Sequence, residues 1–470
     1  MTMALDLATL DSPIQRLAPE LLSTVFVHYV EDESDPPMLE LGYVCRFWWW
    51  VLLSTPSLWS RVKVSAARRP KRGFLPIEQV SHWVRRAGAH PLDVLVDLDF
   101  EDNEEAVVDA EDSNGVELAI VGKVFAFLAD HHPKHLHISN TRGDVSMRTF
   151  LDKYLQPHLA SNKILASLTL DIPEQNDCRL QFAPETAVRF HEALSKSPSL
   201  QSLDVPAHLA PLYVTTSDIP ISQNLRHLCV NQPPPPEYSE YDGEVEENED
   251  GPVAGPVISL SDRVSTLTSL KLGRDAPLSG LYSTPEHLPS VTLPLLEDLH
   301  VANWDDLEIL LHKLHVPNLR KLRLSHFHSR IDTSTGLSSF INSHGDPPKL
   351  ETLILDMGVE FHERSLLSTI KRLPTLVELR LPSTNLTKTF VSTFTTPASV
   401  GSPWLCPKLQ VLVIGHVDVV ESQLTEADME DLVRVRVHEV GNDRELQGAD
   451  VDIEPPARPY VVKWGNKDMI

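Results

Sequence analysis

One apolar spacing recurs nine times between residues 165 and 414: Leu-x-x-Leu-x-Leu, with Val or Ile allowed last. It runs Leu165-Leu168-Leu170, Leu200-Leu203-Val205, Leu225-Leu228-Val230, Leu267-Leu270-Leu272 and Leu296-Leu299-Val301. It continues as Leu319-Leu322-Leu324, Leu350-Leu353-Leu355, Leu376-Leu379-Leu381 and Leu409-Leu412-Ile414. First positions step by 35, 25, 42, 29, 23, 31, 26 and 33 residues. The last two apolar positions alternate with polar ones, as a strand buried on one face requires. A single unit cannot bury its leucines alone, so the units must stack, each giving one strand to a shared core. The spacing therefore predicts an α/β solenoid. Helices are expected between strands at Pro184–Lys196, Asp306–Leu314, Glu363–Leu373 and Leu386–Phe394. Pro198, Pro317, Pro348, Pro374 and Pro407 stand just before strands, where proline stops a helix and favours an extended entry.

The chain's 470 residues exceed one ordinary core, which suits several domains or one elongated array. Only 19 glycines are present, about 4% against a usual ~7%, which argues against glycine-loop nucleotide folds. A net charge of -25 opposes general nucleic-acid binding. Nine acids without a base lie in 97–112, and eight more in 237–250. The second run follows Pro233–Pro236, and the stretch 232–256 is expected to be a disordered, solvated insert. Cys45, Cys178, Cys229 and Cys406 form no CxxC pair, so neither structural zinc nor a disulfide framework is expected. No secretory leader and no apolar run of ~20 residues are visible, so no membrane contact and an intracellular site, cytoplasmic or nuclear, are expected.

Residues 12–62 read as a small helical module. Pro19 and Glu20 suit the first turn of a helix. Leu21, Leu22, Val25, Phe26, Tyr29 and Val30 follow at helical spacing. Asp32–Pro37 breaks that helix. A second helix is expected to carry Leu41, Val44, Cys45, Trp48 and Leu52 on one face, with Cys45 a small buried hydrophobe. Trp48, Trp49 and Trp50 sweep about 200° around it, so at least one must leave the local core.

The run Leu17-Ala18-Pro19-Glu20-Leu21-Leu22, then Val44-Cys45-Arg46-Phe47-Trp48, then Leu58-Trp59, resembles an F-box. Val80–Leu98 and Phe127–Ile138 look like the first two repeats of a large group of fungal F-box proteins, and the nine units resemble irregular leucine-rich repeats. The third position after each motif holds no Asn or Cys, so the repeats are irregular. The resemblance implies an F-box-like module at 12–62, a linker at 63–76, an irregular repeat array at 77–440 and a tail at 441–470. The repeats would form a curved parallel sheet with helices on its outer face. It also implies the substrate-recognition subunit of an SCF-type cullin–RING ubiquitin ligase. Leu17, Pro19, Leu22, Trp48, Leu58 and Trp59 would lie in or next to an apolar surface for a Skp-family adaptor. The repeats would hold a target protein. The alternative is a repeat scaffold with no ligase link.

No nucleophile–base motif, phosphate loop or metal-binding motif is present, so no catalytic residue, cofactor or metal is expected. His131-His132-Pro133-Lys134-His135-Leu136-His137 is read as ordinary surface rather than a metal site. In a leucine-rich horseshoe the residues flanking the inward leucines face the groove. The middle of this set, Lys271, His300, Lys321 and Arg323, is basic in an acidic chain and forms the expected target site; the alternative is a solvated face on which Asp298 and Glu378 neutralise their neighbours. At the C-terminus, Leu424–Val433 is expected to be helix, 442–456 loop, and Val461–Trp464 a last strand.

Overall fold

The computed structural model describes residues 17–32, 38–65, 74–98, 110–140, 150–172, 184–206, 209, 224–231, 265–273, 291–302, 311, 314–326, 333–343, 349–357, 363–381, 388–395, 405–414, 451–452 and 460–463. The acidic stretch 232–256 and the expected helix at 424–433 lie outside the described residues. The chain divides into two compact units, 1–200 and 201–470.

Unit one opens with helices α1 (Pro19–Asp32), α2 (Met38–Val44) and α3 (Arg46–Ser54), then a 3-10 turn at Pro56–Trp59. The expected second helix is broken in two. Cys45 is extended, and its Sγ accepts a hydrogen bond from the Trp48 N–H at 3.5 Å, capping α3. Cys45 is therefore a half-buried cap, not a core hydrophobe, because its sulfur accepts from a donor at the helix end.

Strands β1 (Arg61–Ser65) and β2 (Leu75–Pro76) follow; β1 straddles the expected boundary between module and linker, and β2 lies at the linker's end. Helix α4 (Ile77–Ala87) leads to β3 (Asp93–Asp97), helix α5 (Ala110–His131) to β4 (His135–Ser139), and helix α6 (Gln156–Ser161) to β5 (Ser167–Asp171). All five strands pair in parallel, in the order β2-β1-β3-β4-β5. Val62 meets Val94, which meets Leu136, which meets Leu168. These residues are buried, and Phe125, Phe150, Leu155 and Leu159 from the connecting segments are buried with them. Helix α7 (Pro184–Ser195) closes the unit close to the expected bounds.

Unit two holds β6 (Ser202–Pro206), β7 (His227–Asn231), β8 (Ser269–Leu272), β10 (Asp298–Ala302), β12 (Lys321–His326), β13 (Thr352–Met357), β14 (Glu378–Leu381) and β15 (Val411–Ile414). They pair in parallel in that order. The register aligns motif with motif: Leu203, Leu228, Leu270, Leu299, Leu322, Leu353, Leu379 and Leu412 form one row. Every residue of that row is at most 2% exposed. Helices α8 (Thr333–Ser343), α9 (Glu363–Ile370) and α10 (Lys388–Thr395) add buried Leu337, Phe340, Ile341, Leu366, Ile370, Phe390 and Phe394. Ser338 Oγ and Thr369 Oγ1, 2.6 Å apart, tie α8 to α9.

The prolines do more than end helices. In Leu293-Pro294-Leu295-Leu296, Val316-Pro317-Asn318-Leu319, Leu373-Pro374-Thr375-Leu376 and Cys406-Pro407-Lys408-Leu409, the N–H of the motif leucine bonds the carbonyl three residues back, at 3.0–3.3 Å. Ser197-Pro198-Ser199-Leu200 does the same in unit one. Proline thus occupies the second position of a β-turn, where its fixed φ is preset.

Strand β9 (Val291–Thr292) pairs with β11 (Leu314–His315) in a separate ladder. Leu314 is therefore strand, not the end of a helix; residues 306–310 lie outside the described residues. At the far edge, β17 (Tyr460–Lys463) runs antiparallel to β15, as expected of a last strand. Val451–Asp452 forms β16 against β17, so the loop expected over 442–456 contains a strand. Two residues carry no periodicity to announce it. No helix among the described residues is long and apolar enough to cross a membrane.

Candidate functional site

Helix α1 carries apolar residues on two faces. Leu22, Phe26 and Val30 are buried, whereas Leu21 is 58% exposed, Val25 54% and Tyr29 37%. Sequence reading put all six in one stripe; neighbours along a helix turn by ~100°, so the pairs Leu21/Leu22, Val25/Phe26 and Tyr29/Val30 straddle the boundary. Trp48 packs edge-on against Phe26, with ring centroids 4.9 Å apart. Trp49 lies against Gly42, leaving no room there for a Cβ. Trp50 stacks with Phe47, and both Trp49 and Trp50 are exposed, so two of the three tryptophans leave the local core where at least one was expected to.

Among the described residues, ten large apolar side chains are exposed. Eight of them, Leu21, Val25, Tyr29, Tyr43, Val44, Trp49, Trp50 and Leu53, belong to α1, α2 and α3. The residues singled out in the sequence sit mostly beneath that surface. Leu22, Leu58 and Trp59 are buried, while Leu17, Pro19 and Trp48 are half-buried. Trp59 packs edge-on against Trp83 at 4.7 Å, and the Arg86 guanidinium lies over its ring at 4.5 Å. These contacts fix the helical module to α4. Arg61 Nη1 donates to the Val30 carbonyl at 3.2 Å, placing a cation at the end of α1.

The second candidate lies on the polar side of the unit-two sheet. Register places Lys271, His300 and Arg323 side by side on β8, β10 and β12. Asp298 faces Lys321 one pleat earlier, and Ser325 faces Ala302 and Asp356 one pleat later. Lys271, Lys321 and Arg323 are exposed and His300 is half-buried. Ser325 Oγ lies 3.4 Å from His300 Nε2. Arg323 Nη2 is 3.9 Å from Asp356 Oδ2. Burial pushes the His300 pKa down to about 4, assisted by the charges of Arg323, Lys271 and Lys321 and opposed by Asp356. The imidazole is therefore neutral at pH 7. Further along the sheet, Arg380 bonds Glu378 on its own strand, and Glu378 also accepts from Thr352 Oγ1 at 3.3 Å. That cation is already matched. The four basic residues picked out in the sequence are thus brought together beside Asp298, with Ser325 and Asp356 as neighbours the motif reading did not single out for this site.

His135 and His137, two residues apart on β4, lie on one face of the strand. No group of three or more His, Cys, Asp or Glu poised for a metal occurs among the described residues.

No family model matches the chain, and no curated protein matches it. A solved structure titled as the crystal structure of a TLR13–ssRNA13 complex aligns with 76% of this chain at 14% identity and a TM-score of 0.31. The alignment covers 40% of that chain, so this protein spans less than half the length of its neighbour.

Proposed function

We propose that the chain is a non-catalytic receptor that joins two proteins: its helical module docks on a Skp-family adaptor, and its repeat sheet holds a target for an SCF-type cullin–RING ubiquitin ligase. The observation that carries this reading is the concentration of exposed apolar side chains on α1–α3. Isolated exposed hydrophobes are ordinary, but a cluster of aromatic and aliphatic groups on one small module is the composition of a protein interface. The F-box-like spacing of Pro19-Glu20-Leu21-Leu22, Val44-Cys45 and Leu58-Trp59 supports the choice of adaptor. On this reading Leu22, Leu58 and Trp59 hold the module in shape, and Leu21, Val25, Trp50 and Leu53 meet the partner. The chain itself makes and breaks no bonds; it raises the effective concentration of target beside the ligase.

The test is binding of the full chain to a purified Skp-type adaptor by calorimetry. Wild type should bind. A Val25→Asp/Trp50→Ala variant should lose at least about tenfold in affinity, since central interface aromatics each contribute more than ~1 kcal/mol. An unchanged affinity in that variant would remove the surface from the proposal. Wild type that fails to bind any Skp-type adaptor would leave a repeat scaffold without a ligase link.

A further inference from the structure

The exposed apolar cluster on α1–α3 contains one regular element, a stripe on α1. Leu21, Val25 and Tyr29 stand four residues apart, which puts them on one side of the helix over ~12 Å. Residues 1–16 lie outside the described residues and join the chain at the N-terminal end of that helix. We infer that the stripe is the docking site of the chain's own N-terminal segment, Met1–Asp11, which the adaptor must displace. The displacement rests on the adaptor reading above; the docking does not.

Seven of the first ten residues are apolar, and Asp6 carries their only charged side chain. Met3, Leu7 and Leu10 repeat at the four- and three-residue spacing of a helix face. Such a face is ~10 Å long at 1.5 Å per residue, close to the length of the stripe. Ser12–Ala18 leaves seven residues for a reversal, within the usual range of about two to eight for a helix–helix connection. Pro13 stops a helix inside that connection. An antiparallel return then sets Leu10 beside Leu21, Leu7 beside Val25 and Met3 beside Tyr29.

An apolar cluster of this kind is costly to leave in water. Tethering raises the local concentration of the segment to the order of millimolar, far above that of a second copy in a micromolar solution. The arrangement within one chain therefore outcompetes pairing between copies. A lipid surface is the poorer occupant. The segment carries Asp6 and Asp11 with no base before Arg16, whereas an anionic bilayer favours Lys and Arg.

A synthetic peptide of residues 1–16 should be titrated calorimetrically into the wild-type chain and into a full-length Leu7→Asp/Leu10→Asp variant. The variant is expected to bind the peptide at least about tenfold more tightly than wild type, whose stripe is already filled. Adding Leu21→Asp/Val25→Asp to that variant should erase the binding, and a peptide with the Leu7→Asp and Leu10→Asp substitutions should not bind. Fluorescence of anilinonaphthalene sulfonate, a probe of exposed apolar surface, should rise about twofold on the variant and fall when the wild-type peptide is added. Equal peptide affinity in wild type and variant, no binding to either, or a wild-type dimer in sedimentation that the variant loses would overturn the inference. Adaptor titrations separate the two readings. Freeing the stripe should raise adaptor affinity at least about fivefold in the Leu7→Asp/Leu10→Asp variant. Equal adaptor binding by both proteins sinks the N-terminal docking alone. Peptide binding as described, with no adaptor binding by either protein, sinks the adaptor reading alone.

Discussion

Trp59 donates its indole N–H to the carbonyl oxygen of Leu52, 2.9 Å away, joining the 3-10 turn to the last turn of α3. Both residues are fully buried. Trp59 should therefore report on folding rather than on docking. Trp59→Phe leaves the Leu52 acceptor poorer by one bond and should cost about 1–3 kcal/mol. Trp59→Ala also removes the packing on Trp83 and should cost about 3–5 kcal/mol. Urea melts followed by circular dichroism would check this; a Trp59→Ala variant as stable as wild type would contradict it.

His158 is 3% exposed, and neither ring nitrogen has a hydrogen-bond partner among the described residues. Its ring meets Phe125 edge-on at 6.0 Å. Burial, with nearby His132 adding to it, pushes its pKa from 6.5 down to about 4. The folded state thus keeps the ring neutral while the unfolded chain binds a proton below pH 6.5. Stability is complete above pH 6.5 and falls as pH drops toward 4, by up to about 3 kcal/mol from this group. His158→Leu should be near neutral at pH 7.5 and stabilising at pH 5. Melting curves at the two pH values would check the sign, and an equal shift at both would refute it.

Leu322 is fully buried between Leu299 and Leu353, while Lys321 beside it is exposed. Leu322→Ala should cost about 2–5 kcal/mol. Lys321→Ala should stay within about 0.5 kcal/mol, as exposed positions do. Denaturant midpoints of the pair would show whether the alternation along β12 sets stability as described.

Pro317 presets the turn that delivers Leu319 to the core. Pro317→Ala should destabilise by about 0.4–1 kcal/mol, chiefly by giving the unfolded chain more conformations. The hydrogen bond from Leu319 should persist, so slowed hydrogen exchange at that amide in the variant is the expected companion result. Loss of protection there would mean the proline shapes the turn itself.

The leucine motifs were legible because two constraints coincide in them: a period of two along the strand and a fixed three-residue approach to it. Leu319, Leu322 and Leu324 carry both, and all three are buried. The first strand of unit one was harder to read from spacing. Val62 and Val64 on β1 alternate over too short a run to separate them from a linker. In the helical module, apolar content was legible but its direction was not. Leu21 and Leu22 are alike in chemistry and opposite in burial, because only the packing of α1 against its neighbours decides which face turns inward. The basic row was legible residue by residue. Asp298 was legible too, since it flanks the inward Leu299, but Asp356 was not, because it comes from a neighbouring strand whose pairing needed the register.

The motif-on-motif register of unit two has an evolutionary consequence. A slip of one residue would turn a whole row of leucines toward water, so intermediate lengths are forbidden within a strand. Between strands the chain tolerates spacings from 23 to 42 residues. Gene segments that begin and end at equivalent leucines can therefore be duplicated or lost as cassettes. Removing Lys321–Glu351, for instance, would set Thr352 beside Asp298 with Leu353 against Leu299. Such an excision would delete Lys321 and Arg323 while leaving the leucine row in phase, so this architecture lets a lineage discard or acquire a recognition row without recoding the core that supports it.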